Sequence, residues 1–303
     1  MSSVFSNLEK LGILGSFFYC TGGIMKIKKP FKYMGSKGRF YNEIKAVFEN
    51  SRKEKYVDLF AGGMEVAVNL KEDFPDVQVM VNIKDEHVES FLKHRKTLLK
   101  QYLKIIDFIY KEIKKEDARH VYDKKKEWEE LKIRYREFWN ENPLSFSTEE
   151  RLYIELLCSM NKGRSLSSSF YSKNKIQTLK QYLQKIENIH IKTEKFDKNW
   201  QFNNSFILLD PPYVTSTGTK ERGRKGYKYK AMTWTEQDDI ALIEFMQKNK
   251  EKGNVFMVFG SVGNPLSKLI QKAFPEAVFI IKKYKKTMFG RSSEREEWYC
   301  IIK

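Results

Sequence analysis

Cysteine is scarce in this chain, with three residues among 303. Cys20, Cys158 and Cys300 lie far apart, and none belongs to a CxxC pair. An odd number of widely spaced cysteines argues against a disulfide framework, and the lack of CxxC pairs argues against a cysteine zinc site. We therefore expect free thiols in a reducing compartment, and the cytoplasm is the expected location.

Long apolar runs and metal-binding patterns are also absent. No stretch approaches the ~18 consecutive apolar residues of a membrane-spanning helix. Residues 11–19 are the one secretory-looking stretch, but they are few, with little positive charge before them and no small-residue cleavage pattern after them. The four histidines form neither an HExxH motif nor a Cys/His cluster, so no metal site is predicted.

Acidic residues are in deficit. There are 39 Asp and Glu against 56 Lys and Arg, which gives a formal net charge of +17. An excess of this size indicates a polyanionic partner, most simply nucleic acid, with an anionic membrane surface as the alternative.

From Met25 onward, short apolar strands alternate with helical patterns. The predicted strands are 55–61, 77–82, 205–209, 254–260, 277–284 and 297–302, and the predicted helices are 64–70, 148–160, 236–249 and 265–274. Lys- and Glu-rich helical segments interrupt this alternation between about 87 and 140. The pattern predicts a mostly parallel α/β sheet with a helical insertion. The predicted organisation is an N-terminal extension (1–24), a catalytic domain in two parts (25–92 and 196–303) and the inserted domain (93–195).

The most specific motif is Asp210-Pro211-Pro212-Tyr213, which directly follows an apolar strand. Ligands of open α/β sheets bind where strands end, so this corner lies where chemistry is expected. The two prolines stiffen the turn and leave carbonyl groups free to accept hydrogen bonds. A carboxylate, a carbonyl and an aromatic ring together suit a flat heterocycle that carries an amino group. A proline-rich turn with a solvated Asp210 is the alternative.

Two further motifs precede this corner. The segment Asp58-Leu-Phe-Ala-Gly-Gly63 leads from a strand into a helix, and its glycines permit close approach of a ligand to the backbone. It is neither GxGxxG nor a P-loop, and a plain tight turn explains it equally well. The segment Lys32-Tyr-Met-Gly-Ser-Lys37 combines an aromatic ring, a flexible turn and a lysine, and a solvated basic loop is its alternative.

In this order, the three motifs resemble those of the Dam-type (D12 class) DNA adenine-N6 methyltransferases. The likeness runs from about Lys26 to the C-terminus, with support from residues 161–164, 259–262 and 295–302. The resemblance implies a Rossmann-like S-adenosylmethionine-dependent methyltransferase sheet whose insertion is a mainly helical target-recognition domain. It implies methyl transfer to N6 of a flipped-out adenine in double-stranded DNA, without a metal. It leaves a cognate restriction endonuclease open as a further partner.

The resemblance also assigns roles to residues. The implied catalytic residues are Asp210, which bonds the target amine, Pro211, Pro212 and Tyr213, which stacks on the adenine. The implied cofactor-binding residues are Tyr33, Lys37, Asp58, Phe60, Gly62, Gly63, Asp85 and Asp210.

One position departs from the family pattern. The family has an acidic residue at the end of the second strand, where it bonds the ribose of the cofactor, and this chain has Ile83. Asp85 is the candidate replacement, and Asn82 is a weaker one. This departure keeps a second hypothesis open, a catalytically weak or silent DNA-binding relative.

Basic runs supply the expected DNA contacts. They occupy residues 161–180, 213–230 and 282–291. The predicted contacts are Lys162, Arg164, Lys173, Lys175, Arg222 and Arg224. Methylation of RNA adenine is an alternative, whereas methylation of a protein amide is disfavoured because such enzymes usually carry Asn in place of Asp210.

Overall fold

The computed structural model describes residues 27–31, 33, 36–108, 144–158, 173–212, 234–288 and 291–303, with four isolated positions between 133 and 141. Its strands are β1 (Lys55–Asp58), β2 (Gln78–Asn82), β3 (His190–Lys192), β4 (Ser205–Leu209), β5 (Val255–Ser261), β6 (Val278–Met288) and β7 (Arg291–Ile302). Its helices are α1 (Tyr41–Ser51), α2 (Glu65–Asp73), α3 (Glu86–Lys93), α4 (Arg95–Phe108), α5 (Thr148–Cys158), α6 (Lys173–Ile186), α7 (Glu236–Lys250) and α8 (Leu266–Ala273), and a 3₁₀ helix spans Lys37–Phe40.

The strands form one seven-stranded sheet in the order β3-β2-β1-β4-β5-β7-β6. The first five strands in this order are parallel, and β7 runs antiparallel to both β5 and β6. The chain reverses its direction across the sheet between β1 and β4, which is where doubly wound sheets place their ligands. The prediction of a Rossmann-like α/β sheet is confirmed.

Alternating side chains of the central strands bury both faces of the sheet. Phe206 and Leu208 of β4 join a cluster with residues of α1 to α6, whereas Ile207 and Leu209 join a second cluster with residues of α7 and α8. All five residues of β4 are buried, as expected for a central parallel strand covered on both faces. Helices therefore cover both faces of the sheet, with α1 to α6 on one face and α7 and α8 on the other.

The helix caps follow the local sequence. The Ser147 hydroxyl accepts from the Glu150 amide at 3.1 Å, and the Glu150 carboxylate accepts from the Ser147 amide at 2.9 Å, which is a reciprocal capping box at the start of α5. Thr235 and Asp238 form the same reciprocal arrangement at the start of α7.

The described part of the predicted insertion packs onto the sheet. Strand β3 extends the parallel sheet at its edge, and Tyr182 of α6 is fully buried against the core. Leu98 of α4 and Tyr153 of α5 are buried in the same cluster. We therefore propose that the separate part of the insertion ends before α6, earlier than residue 195.

The β6–β7 hairpin is longer than the sheet that it joins. The last pair between β5 and β7 is Ser261 with Glu297, whereas β6 and β7 stay paired as far as Met288 with Arg291. We call residues 282–288 and 291–296 the β6–β7 arm. None of the helices in the described ranges is long and apolar enough to cross a membrane.

Candidate active site

The ends of β1 and β4 bring two of the predicted motifs together. Asp58, the last residue of β1, is in register with Leu208 of β4, and the Asp210 corner begins two residues later. Because the two strands are parallel neighbours, both carboxylates lie at the carboxyl edge of the sheet. The Leu59 amide donates to the Leu208 carbonyl at 3.2 Å, so the turns after the two strands start side by side.

The third motif reaches this edge through Lys37. Its ammonium lies 2.7 Å from an Asp210 carboxylate oxygen, and the two side chains are only 6% and 16% exposed. Lys37 opens the 3₁₀ helix, whose N-terminus is capped by the Ser36 hydroxyl. The ammonium also lies 5.6 Å from the centre of the Phe259 ring of β5. This buried pair joins the N-terminal motif to the double-proline corner.

Asp58 lies in an environment that opposes its negative charge. The pKa of the Asp58 carboxyl is raised to about 7, chiefly by burial and also by the nearby Asp210 charge, against the lowering effects of the Phe60 amide and of Lys37. The Phe60 amide donates to Asp58 at 3.1 Å. A carboxylate held this close to its ionisation point can be stabilised by a cationic ligand.

The turn after β1 needs its glycine. Gly62 has a φ of +49°, and a Cβ built there would lie 2.6 Å from Cε1 of Tyr33. The Tyr33 ring therefore lies directly on the backbone of the loop. The Tyr182 hydroxyl donates to the Gly63 carbonyl at 2.7 Å, and Met64 takes a positive φ of 52°, an uncommon conformation for a residue with a side chain. The loop is thus held from both sides in a strained turn.

Contacts between residues distant in sequence hold the N-terminal segment over this loop. Such contacts leave no pattern in the local sequence. One Glu65 oxygen accepts from the Lys29 ammonium and, at 2.5 Å, from the Ser36 hydroxyl. The Asn69 side chain bonds both the amide and the carbonyl of Ile27, at 2.9 and 2.7 Å. The first helix after the glycine loop thereby positions the segment that carries Tyr33 and Lys37.

Two aromatic rings pack against Phe60. The centres of Phe196 and Trp234 lie 5.7 and 5.3 Å from that of Phe60. The Trp234 indole donates to the buried Asp239 at 2.7 Å, which fixes the orientation of the ring. The only sequence signal for Phe196 is its place four residues after β3, a strand that the hydrophobic pattern does not predict.

The end of β2 has a structural explanation. The Asn82 side chain donates to the Glu194 carbonyl at 3.0 Å and accepts from the Glu194 amide at 3.1 Å, while Ile83 is 1% exposed. Asp85 caps α3 by accepting from the amides of His87 and Val88. The structure thus accounts for Asp85 as a helix cap, and its contact with a cofactor ribose stays a prediction.

The predicted DNA contacts lie largely outside the described residues. This holds for Lys162, Arg164, Arg222 and Arg224, and also for Tyr213 of the catalytic motif. Lys173 begins α6, but its side chain is not described. The Lys175 ammonium donates to the Leu157 carbonyl near the end of α5, so the structure gives it a structural contact. No group of three or more His, Cys, Asp and Glu in the described ranges is placed to hold a metal ion.

Two curated proteins are similar to this chain. The modification methylase StsI of Streptococcus sanguinis is 23% identical over 240 residues, which are 75% of this chain and 34% of that protein. The type II methyltransferase M.FokI of Planomicrobium okeanokoites is 25% identical over 254 residues, which are 80% of this chain and 36% of that protein. The chain therefore spans about a third of the length of these curated relatives.

A solved structure and a family model complete the comparison. The precorrin-6y C5,15-methyltransferase of Geobacter metallireducens GS-15 aligns with 92% of this chain and 95% of its own, at a TM-score of 0.39 and 9% identity. Residues 33–288 match the model of the D12 class N6 adenine-specific DNA methyltransferases, a range that includes the three motifs except Lys32, the first residue of the N-terminal one. The chain belongs to the D12 class N6 adenine-specific DNA methyltransferase family.

Proposed function

We propose that this chain transfers a methyl group from S-adenosylmethionine to N6 of an adenine in double-stranded DNA. The observation that carries the proposal is the buried 2.7 Å pair between Lys37 and Asp210. It joins the N-terminal motif to the double-proline corner, beside the glycine loop of the Asp58–Gly63 motif. Three motifs of the family thus meet at one edge of the sheet.

The glycine loop fits the proposed cofactor. Gly62 lacks the side chain that would displace Tyr33, and the loop therefore offers a bare backbone beside an aromatic ring. Asp58 is a suitable partner for the ammonium of the methionine portion, since burial disfavours its negative charge and a nearby cation would offset that effect. Tyr33, Lys37, Asp58, Phe60, Gly62 and Gly63 would hold the cofactor, which when bound supplies an activated sulfonium methyl group.

Asp210 acts on the target amine. Inside a duplex this amine is out of reach, so the base must first leave the helix at a cost of a few kcal/mol. Asp210 and the Pro211 carbonyl then accept its two hydrogens, which favours a tetrahedral nitrogen with an available lone pair. Lys37 holds the carboxylate in place. N6 would form its bond to the methyl carbon as the bond between that carbon and the sulfonium sulfur breaks, and the sulfur would keep the electron pair as a neutral thioether. The positive charge on N6 would be stabilised by the Asp210 carboxylate until one N6 proton leaves to water.

The partners and the location belong to the same proposal. The relatives are named a modification methylase and a type II methyltransferase, and this supports a cognate restriction endonuclease as a partner. We propose that the residues between α4 and α6 form the target-recognition domain. A DNA-modifying enzyme with free thiols fits the cytoplasm.

Methylation of unmodified plasmid DNA tests the proposed function. With labelled S-adenosylmethionine, the wild-type chain should produce N6-methyladenine, measured by mass spectrometry of the digested DNA. Asp210→Ala should abolish the product while duplex affinity stays within a few-fold, because Asp210 bonds the extruded base and not the duplex. The matched control is Asp76→Ala at an exposed aspartate, which should methylate like wild type. Product from Asp210→Ala, or its loss of duplex binding, would contradict the assigned role.

A silent DNA-binding relative is the second candidate, and the buried Ile83 is the observation that favours it. Calorimetric titration of S-adenosylmethionine separates the two candidates. If the chain binds S-adenosylmethionine and also produces methylated DNA, the result supports the enzyme. If it binds DNA but no S-adenosylmethionine, the result supports the silent relative. If the chain binds S-adenosylmethionine and N6-methyladenine is found in RNA but not in DNA, the substrate is RNA adenine.

A further inference from the structure

The β6–β7 arm projects from the edge of the sheet that carries the active site. Because β7 is antiparallel to β5 and their last pair is Ser261 with Glu297, residues 291–296 lie beyond the carboxyl end of β5. Six paired residues extend for about 20 Å at a strand rise of ~3.3 Å per residue. Asp58 and the Asp210 corner lie at the same edge, since β1, β4 and β5 are parallel. DNA that presents a base to Asp210 therefore comes close to the arm.

One face of the arm balances its own charge. Lys283 forms an ion pair with Glu296 at 2.6 Å, and Lys285 is in register with Glu294. The lysines of this face thus alternate with acidic partners on the neighbouring strand. This face has little net charge with which to attract a polyanion.

The opposite face has a basic excess. It continues from the buried pair Ile280 and Tyr299, and after Lys282 with Glu297 its register pairs are Tyr284 with Arg295, Lys286 with Ser293, and Met288 with Arg291. These three pairs contain three basic residues and no acidic one. The first pair of the face is already engaged, because Lys282 lies 3.0 Å from Glu43.

Arg39 links this basic face to the active site. Its guanidinium lies 3.9 Å from the centre of the Tyr284 ring, so it adds a fourth positive charge at the root of the arm. Arg39 is two residues from Lys37 in the same 3₁₀ helix, whose Phe40 ring lies 5.2 Å from that of Phe259. The basic face therefore begins beside the pair formed by Lys37 and Asp210.

We propose that Arg39, Lys286, Arg291 and Arg295 bind the sugar–phosphate backbone of the duplex next to the target adenine. The inference rests on the proposed function for its partner, DNA, and adds a surface outside the recognition domain. The three register pairs of the basic face beyond Lys282 contain no acidic residue. Arginine and lysine side chains suit phosphate oxygens, and such contacts position a protein without reading sequence. The arm thus holds the duplex while the base leaves it.

Two double variants with the same change in charge test the proposal. Lys286→Gln/Arg291→Gln removes two charges from the basic face, and Lys283→Gln/Lys285→Gln removes two from the balanced face. Binding of labelled random-sequence duplexes is followed by fluorescence anisotropy at several salt concentrations. The first variant should bind about tenfold more weakly near 0.1 M salt, with a slope of log affinity against log salt that is smaller by about 2. The control should stay within about twofold, because screening weakens distant charges.

Each outcome has a definite reading. Three outcomes would overturn the proposal. An equal loss of DNA affinity in the two double variants would show a general charge effect, and unchanged affinity in Lys286→Gln/Arg291→Gln would show that the arm does not contact DNA. A loss of affinity confined to one DNA sequence would show that the arm reads bases. Cofactor affinity should be unchanged in both variants, which verifies folding. Arg39→Gln, outside the strands, is a second variant with an expected slope change of about 1. If the arm variants lose DNA affinity but the wild-type chain never methylates DNA, only the proposed function is refuted. If the arm variants bind and methylate DNA like wild type, only the proposal that the arm binds DNA is refuted.

Discussion

At the scale of single residues, Asp58 makes the stability of the fold depend on pH. Burial raises the pKa of its carboxyl from the ordinary 3.8 to about 7, so the folded chain keeps a proton that the unfolded chain has lost. The stabilisation is fully present below about pH 4 and is lost as the pH rises through about 7. We therefore predict that the free energy of unfolding of the wild type falls relative to that of Asp58→Asn between about pH 4 and about pH 7 and then stays level. The difference should reach a few kcal/mol at most, since one pKa unit corresponds to about 1.4 kcal/mol.

Urea unfolding at several pH values, followed by tryptophan fluorescence, measures this difference. Asp76→Asn is the control because Asp76 is exposed, and it should follow the wild type throughout. Parallel curves for wild type and Asp58→Asn would mean that Asp58 is ionised in the folded chain at all of these pH values.

Residues with a backbone signature could be located from the sequence, and residues defined by distant partners could not. Two prolines after an apolar strand mark Asp210, and paired glycines mark the turn at Gly62. The roles of Glu65 and Asn69 depend on groups 29 to 42 positions away in the chain, a separation that periodicity does not report. Asp85 is a different case, because it accepts from amides two and three positions ahead and its capping role depends on where α3 begins.

At the scale of elements, the turn between β1 and α2 is where a small change should affect the cofactor most. Gly62→Ala adds a Cβ 2.6 Å from Tyr33 at a positive φ, whereas Gly253→Ala adds one at a φ of +71° with nothing within 4 Å. Both substitutions should cost about 1 kcal/mol of stability through their backbone conformation. Only Gly62→Ala must also move Tyr33, and we predict that it weakens S-adenosylmethionine binding by about tenfold or more, or ~1.4 kcal/mol.

Calorimetry for the cofactor and thermal unfolding for stability separate these two effects. Equal cofactor affinities in the two variants would show that Tyr33 does not need its place on the loop. A loss of affinity in Gly253→Ala would show instead that general destabilisation controls binding.

Elements that bury an apolar pattern were predictable, and short or edge elements were not. The prediction for β4 (Ser205–Leu209) is confirmed residue for residue, because a fully buried strand is a continuous apolar run. Strand β3 has three residues at the sheet edge, too few for a period of two to be visible. Helix α6 contains four lysines and its sequence resembles a charge run, although its buried face contains Leu179 and Tyr182.

At the scale of the whole molecule, parallel topology explains why motifs far apart in sequence meet. Asp58 and Asp210 follow neighbouring parallel strands, so the order of strands alone brings them to one edge. The length of the β6–β7 arm was not predictable in the same way. Its residues show no alternation of apolar and polar side chains from which a strand of that length could be inferred.

The N-terminal boundary of the fold gives the last prediction. The Asn69 side chain is hydrogen-bonded to both the amide and the carbonyl of Ile27, which is 8% exposed. Phe31 is 4% exposed, and the centre of its ring lies 5.3 Å from that of Phe91. The core therefore includes residues 27–31, whereas the family match begins only at residue 33. We predict that a variant starting at Met25 keeps its unfolding midpoint within about 2 °C and methylates DNA normally. A variant starting at Lys32 should lose several kcal/mol because two buried apolar side chains are removed. Thermal unfolding and methylation assays on both variants check this, and failure of the Met25 variant would place residues 1–24 within the functional fold.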